Sequence, residues 1–240
     1  MNIEKIDRLF LSEIEKIYNK YLPSNHIFFT MLSDFPHEKL RSPNLLGNFH
    51  LRYQSACHAT RVMIYRIPYL ENPSLRNRLL KVISDDDQYE LFDSHHYQLT
   101  RLFVNMGAKI LIDDESFGEL DRLKENLDSN TAYFVTLVQQ LYIRNPGAWC
   151  VIEMFANNWM KALMNSLLPC FPFIDNEPYF SECFNQGIET KHAQESLFIT
   201  SKVLQRSPEL FEQTICDANR MAKGLNILWN GLGNLLKENY

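Results

Sequence analysis

Residues 145–168 read NPGAWCVIEMFANNWMKALMNSLL. The run is too long for a strand and apolar on every side of a helix, which is the pattern of a helix buried in a protein core. Asn145-Pro146 supplies a cap and a first-turn proline, and Pro169 and Pro172 end the run. Within its first ten residues, Gly147 to Ala156, Glu153 is the only charge. A lone carboxylate in such a setting costs several kcal/mol unless it is paired, protonated or bound to a cation. One reading of Glu153 is therefore a buried ion pair or cap; the other is a ligand facing a buried metal.

The same helical spacing runs through the rest of the chain. Ile3, Ile6, Leu9, Phe10, Ile14, Ile17 and Tyr21 make one stripe. A second long helix is expected from about Leu45 to Leu70. Asn72-Pro73 opens a shorter one to about Ser84, followed by an acidic loop from Asp85 to Glu90. Asp93-Ser94 caps a helix through Met106, and residues 113–144 hold one or two more. Glu177-Pro178 is expected to start a single long helix to Gln205, and Ser207-Pro208 to cap the last, through Trp229. Glycines are few, at eight, and the β-branched runs that mark strands are missing. With no Gly/Ser linker, low-complexity tract or internal repeat, the chain reads as one all-α domain, residues 1–240, of about eight helices.

Composition narrows the function classes. Apolar residues make up 45% of the 240, enough for a sizeable core. The formal charge is −5 and there is no basic run, which argues against nucleic acid as a partner. No stretch of 18 or more residues lacks charge, so no membrane span is expected. Met1 to Asp7 carries both signs of charge and no apolar segment, so no leader is expected. The five cysteines, Cys57, Cys150, Cys170, Cys183 and Cys216, are odd in number and none lies in C-x-x-C. They read as buried thiols of a reduced, cytoplasmic protein.

Two further groups could carry chemistry. Asn185, Glu189 and His192 lie at i, i+4 and i+7 of the expected long helix, so they share a face. Glu189-x-x-His192 is the spacing by which one helix offers a carboxylate and an imidazole to one metal, although polar stripes are more often simply solvated. His95 and His96 follow the acidic loop at a helix start, and about 100° separates adjacent residues, so one of the two faces inward. His96 lies on the stripe of Leu99 and Phe103. The loop acids Asp85, Asp86, Asp87 and Glu90 would ordinarily be solvated.

In order, these pieces form a pattern: an acid, His96-x-x-Leu99, a lone Glu153, then Asn185-x-x-x-Glu189-x-x-His192. The pattern resembles the haem-oxygenase-like di-iron oxidases, a group that includes the chlamydial death-domain-associated protein and is related to the TenA and PqqC proteins. Other stretches are similar to that family: His26-Ile27-Phe28-Phe29, Ile67-Pro68-Tyr69-Leu70 through Arg76, Ser94 to Leu99, and Leu228-Trp229-Asn230-Gly231-Leu232. The likeness spans about residue 25 to 235. It implies a haem-oxygenase-like bundle, one or two irons per chain (manganese being an alternative), O2 and a small organic molecule as substrates, and a homodimer. The implied ligands are Asp86, His96, Glu153, Glu189 and His192, with Glu90 or Asp93 as other choices for the acid.

Two departures bear on that set. Where the family has H-x-x-x-D-x-x-H, this chain has Asn185 for the first histidine and Glu189 for the aspartate. Glutamate keeps a ligand, but an amide oxygen binds iron(II) more weakly than imidazole. A second metal would thus be held poorly, and a scaffold that keeps the fold without full metal binding is one alternative. Another comes from Leu168-Pro169-Cys170-Phe171-Pro172-Phe173, which is similar to the segment around the nucleophilic cysteine of TenA thiaminases. There Pro172 stands in place of an aromatic, and Leu225 stands where those proteins have a glutamate.

Overall fold

The computed structural model describes residues 3–67, 72–87, 94–112, 120–185 and 187–240; the side chains of Asp86, Asp87 and Asn185 fall outside that description. Regular structure among the described residues is helical, with no strand. The helices are α1 (Ile3–Lys20), α2 (Ile27–Ser33), α3 (His37–Leu40), α4 (Pro43–Ile64), α5 (Pro73–Asp87) and α6 (His95–Asn105). Then follow α7 (Leu120–Lys124), α8 (Ser129–Tyr142), α9 (Gly147–Leu167), α10 (Pro178–Asn185), α11 (Ile188–Arg206) and α12 (Phe211–Glu238).

Several capping residues read from the sequence act as caps, although Ser207 does not: it precedes a short 3-10 turn, Pro208–Leu210, without a side-chain bond, and α12 begins at Phe211. The Asn72 side chain accepts from the backbone N–H groups of Ser74 and Leu75 at 2.9 and 3.2 Å, opening α5. Ser94 accepts from Tyr97 N–H at 3.4 Å to open α6, and Asn145 from Gly147 N–H at 2.9 Å to open α9. No helix among the described residues is long and apolar enough to cross a membrane.

The fold is organised around α9. This helix packs against α11, α12, α2 and α8, so it is enclosed on several sides, as its all-round apolar sequence requires. α12 crosses α8, α9, α1 and α4, and α4 in turn lies on α8 and α6. The close approach of α12 to α8 depends on Gly224, where a Cβ would overlap the Leu137 side chain. Phe28, Phe49, Tyr53, Trp159 and Trp229 form an aromatic centre; Phe28 and Trp229 stack with centroids 5.8 Å apart.

The described residues form twelve α-helices rather than about eight, and the second long helix ends at Ile64 rather than near Leu70. Two further expectations need correction. The acidic segment is not a loop from Asp85 onward, because α5 continues through Asp87. The long helix expected from Glu177-Pro178 to Gln205 is instead two helices, separated at Gly187, whose φ of +62° no right-handed helix contains. Asn185 ends α10 and Glu189 lies in the first turn of α11, so the shared helix face inferred for Asn185, Glu189 and His192 holds only for the last two.

Candidate metal centre

Glu153 projects from the middle of α9 and is 9% exposed. Its Oε1 accepts a 2.6 Å hydrogen bond from Trp149 Nε1, one turn earlier on the same helix. Side chains four apart stack on one helix face, so α9 itself contributes to the orientation of this carboxylate. The other oxygen, Oε2, lies 3.9 Å from His192 Nδ1.

His192 and Glu189 stand one turn apart on α11, at 2% and 5% exposure. Because α11 packs on both α9 and α5, His192 sits between two acids. Its Nδ1 faces Glu153, and its Nε2 is 3.6 Å from Asp85 Oδ2 in the last turn of α5. Both distances exceed a normal hydrogen bond. The Glu153–His192 distance matches the separation of two ligands on one ion, which is about 3–4 Å for metal–ligand bonds near 2.1 Å, whereas Asp85 lies on the other side of the ring. One donor atom each from Glu153, Glu189 and His192 lies within 4.8 Å of the other two.

Glu189 also belongs to a second group. Its carboxylate, His95 at the start of α6 and Cys183 on α10 place one donor atom each within 4.8 Å of one another. Cys183 Sγ is 3.6 Å from His95 Nε2. Burial pushes the Cys183 thiol up to about 11, against the lowering effect of its contact with His95.

A cavity of about 110 Å³ opens beside these groups, lined by His58, His95, His96, Glu153, Glu189 and Trp159 among others. Most of its remaining wall is apolar, including Ile152, Leu99 and Met160. It is small beside the roughly 300–1,000 Å³ of drug-sized pockets, which restricts a ligand to a few heavy atoms unless the walls move. Below it, Trp159 Nε1 donates to Tyr53 OH at 3.1 Å, and Tyr53 OH meets Tyr179 OH at 2.9 Å. Burial holds both phenols well above their ordinary range, so they stay protonated.

Of the residues singled out in the sequence, Glu153, Glu189 and His192 are brought together. His96 lines the cavity but stands apart from both donor groups; its Nδ1 is 2.5 Å from the Gln54 amide, and its ring meets that of His58 edge-on at 5.6 Å. His95, its neighbour, is the one grouped with Glu189. Glu90 and Asp93, and the side chains of Asp86 and Asn185, lie outside the described residues. Cys170 is buried, directs its thiol at the His37 carbonyl at 3.7 Å, and has its pKa raised by burial, which is opposite to the activation a nucleophile needs.

Sequence reasoning missed Asp85, His95 and Cys183. Asp85 was assigned to a solvated loop, and only the extra turn of α5 brings it to His192. Cys183 had one available signal: with Tyr179 and Phe180 it occupies the buried side of α10.

The donor set of carboxylates, imidazoles and a thiol suits a divalent first-row ion, so the residues present fit a metal. No protein-family model matches this chain, and no curated protein matches it.

Proposed function

We propose that this chain is an iron-dependent oxidase or oxygenase with a haem-oxygenase-like bundle, acting on a small organic molecule. The observation that carries the reading is the convergence of buried Glu153, Glu189 and His192 within 4.8 Å, beside a cavity lined largely by apolar groups. Two carboxylates and an imidazole converging on one buried point are the donor types a divalent first-row ion takes. Glu153, Glu189 and His192 are the residues that would hold the ion, with Asp85 facing the other ring nitrogen of His192. Iron so held supplies the redox chemistry that couples O2 to an organic substrate.

The chain's own groups have separable tasks. Trp149 fixes the orientation of Glu153 through its N–H, as outer-shell donors do for ligands. Leu99, Ile152 and Met160 exclude water from the cavity. The Gln54 amide donates to His96 Nδ1, which assigns the proton of a neutral imidazole to Nε2 and makes that atom a donor.

A second reading has its own support. His192 has one carboxylate facing each ring nitrogen, which also suits a structural imidazolium between two acids in a non-catalytic scaffold. Anaerobic iron(II) titration of chelator-stripped protein separates the two. The proposed function expects at least one tightly held iron per chain, and its oxidation on admitting O2. A protein that takes up no iron, or any other divalent ion, is the scaffold.

A further inference from the structure

We propose that Cys183 is a thiolate ligand at a second metal position, with His95 beside it and Glu189 lying between this position and the one next to Glu153 and His192. The inference rests on the reading that this cluster holds a metal, and adds to it the identity of a donor and the class of ion. A sulfur–nitrogen–carboxylate set selects borderline-soft ions such as iron(II), cobalt(II) or zinc(II) over magnesium or manganese(II).

Three observations lead here. The three donors come from three different helices, α6, α10 and α11, so no local turn geometry explains their meeting. The Cys183 Sγ to His95 Nε2 separation is 3.6 Å. A sulfur at 2.3 Å and a nitrogen at 2.0–2.1 Å from one tetrahedral ion would stand about 3.6 Å apart. Finally, Glu189 is common to both donor groups, which places the two positions side by side with one carboxylate between them. A second metal was expected to be short of a donor because Asn185 replaces an imidazole; Cys183, on the same helix, supplies one of a different kind.

Binding is a proton-for-metal exchange without redox change. The S–H bond breaks, its proton leaves to solvent, and the sulfur lone pair forms the bond to the divalent ion. An S–H···N hydrogen bond between Cys183 and His95 has the same length as the observed contact and is the competing description.

Cobalt(II) distinguishes them, because thiolate ligation gives an intense near-ultraviolet charge-transfer band that oxygen and nitrogen ligands do not. Chelator-stripped full-length protein is titrated with cobalt(II) under anaerobic conditions. The wild type is expected to develop the band. Cys183→Ser should lose it and bind the second equivalent at least about tenfold more weakly, while keeping the first. Cys57→Ser and Cys150→Ser, which alter a partly buried and a buried thiol elsewhere in the same region, should retain the band. X-ray absorption at the cobalt edge of the wild type needs no variant and should find sulfur at about 2.3 Å. Cobalt bound without band or sulfur would overturn this inference and leave the carboxylate–histidine position standing. A band that survives Cys183→Ser, or vanishes with Cys57→Ser, would overturn it as well. Absence of any bound cobalt would remove the proposed function and this inference together.

Discussion

Glu153→Gln is the most informative single change, because glutamine keeps the shape of the side chain and its acceptor for Trp149 while removing the charge. In the metal-free protein, Glu153 and Glu189 hold carboxylate oxygens within 4.8 Å. Two full charges at that distance repel by about 3.5 kcal/mol at an effective dielectric constant of 20. Against this, the Trp149 hydrogen bond changes from charge-assisted to neutral, a loss of about 1 kcal/mol. The metal-free variant is therefore more stable by about 2.5 kcal/mol, which raises Tm by roughly 5–10 °C for a chain of this size. Iron removes this advantage. At a thousandfold excess over Kd, the wild type gains about 4.1 kcal/mol by linkage, whereas a variant binding a hundredfold more weakly gains only about 1.4. Differential scanning calorimetry at pH 9, above the imidazole range, with and without anaerobic iron(II), reads both effects. A metal-free variant destabilised by several kcal/mol, with iron binding unchanged, would refute the reasoning and make Glu153 a structural ion-pair partner.

Gly187→Ala tests the break between α10 and α11. A Cβ there would meet nothing within 4 Å, so the cost is purely that of the +62° φ, about 1 kcal/mol, seen as a lower urea midpoint with an unchanged m-value; a midpoint at or above that of the wild type would contradict the assigned conformation. His50 gives a pH dependence. Burial, with His96 adding to it, lowers its pKa from 6.5 to about 4, so the unfolded chain takes up its proton first. The neutral His50 contribution is fully present above about pH 6.5 and is lost as pH falls toward 4, a change of about 3 kcal/mol. Urea unfolding of chelator-treated protein between pH 7 and 4 should show that much more loss in the wild type than in His50→Gln, and parallel curves would show that His50 does not contribute.

The all-helical class and several helix starts were legible because their causes are local. A side-chain oxygen two or three residues before a free N–H needs no knowledge of the rest of the fold, which is why Asn72, Ser94 and Asn145 could be read as caps. Glu153 was legible for a related reason: a single charge in an apolar helix is conspicuous before anything is known of its surroundings. The break at Gly187 was not, since one glycine inside a periodic pattern is compatible with a continuous helix, and only packing decides. The choice between His95 and His96 turns on the rotation of α6 about its axis, and tertiary contacts set that angle. Asp85 and Cys183 depend on which helices meet across the bundle, information that no window of sequence around either residue contains.

The Trp149–Glu153 bond suggests a rule for reading other chains. Helical side chains lean toward the N-terminus, so a glutamate reaches back over the residue one turn earlier. An indole there offers a donor and nothing that neutralises the charge. The spelling W-x-x-x-E inside an otherwise apolar helix thus describes a carboxylate aimed by its own helix and met from another, as His192 faces Glu153 at 3.9 Å. A lysine or arginine at the same offset would describe an ion pair closed within one helix, so the letter four places upstream separates an acid whose charge is met locally from one whose charge is met across the bundle.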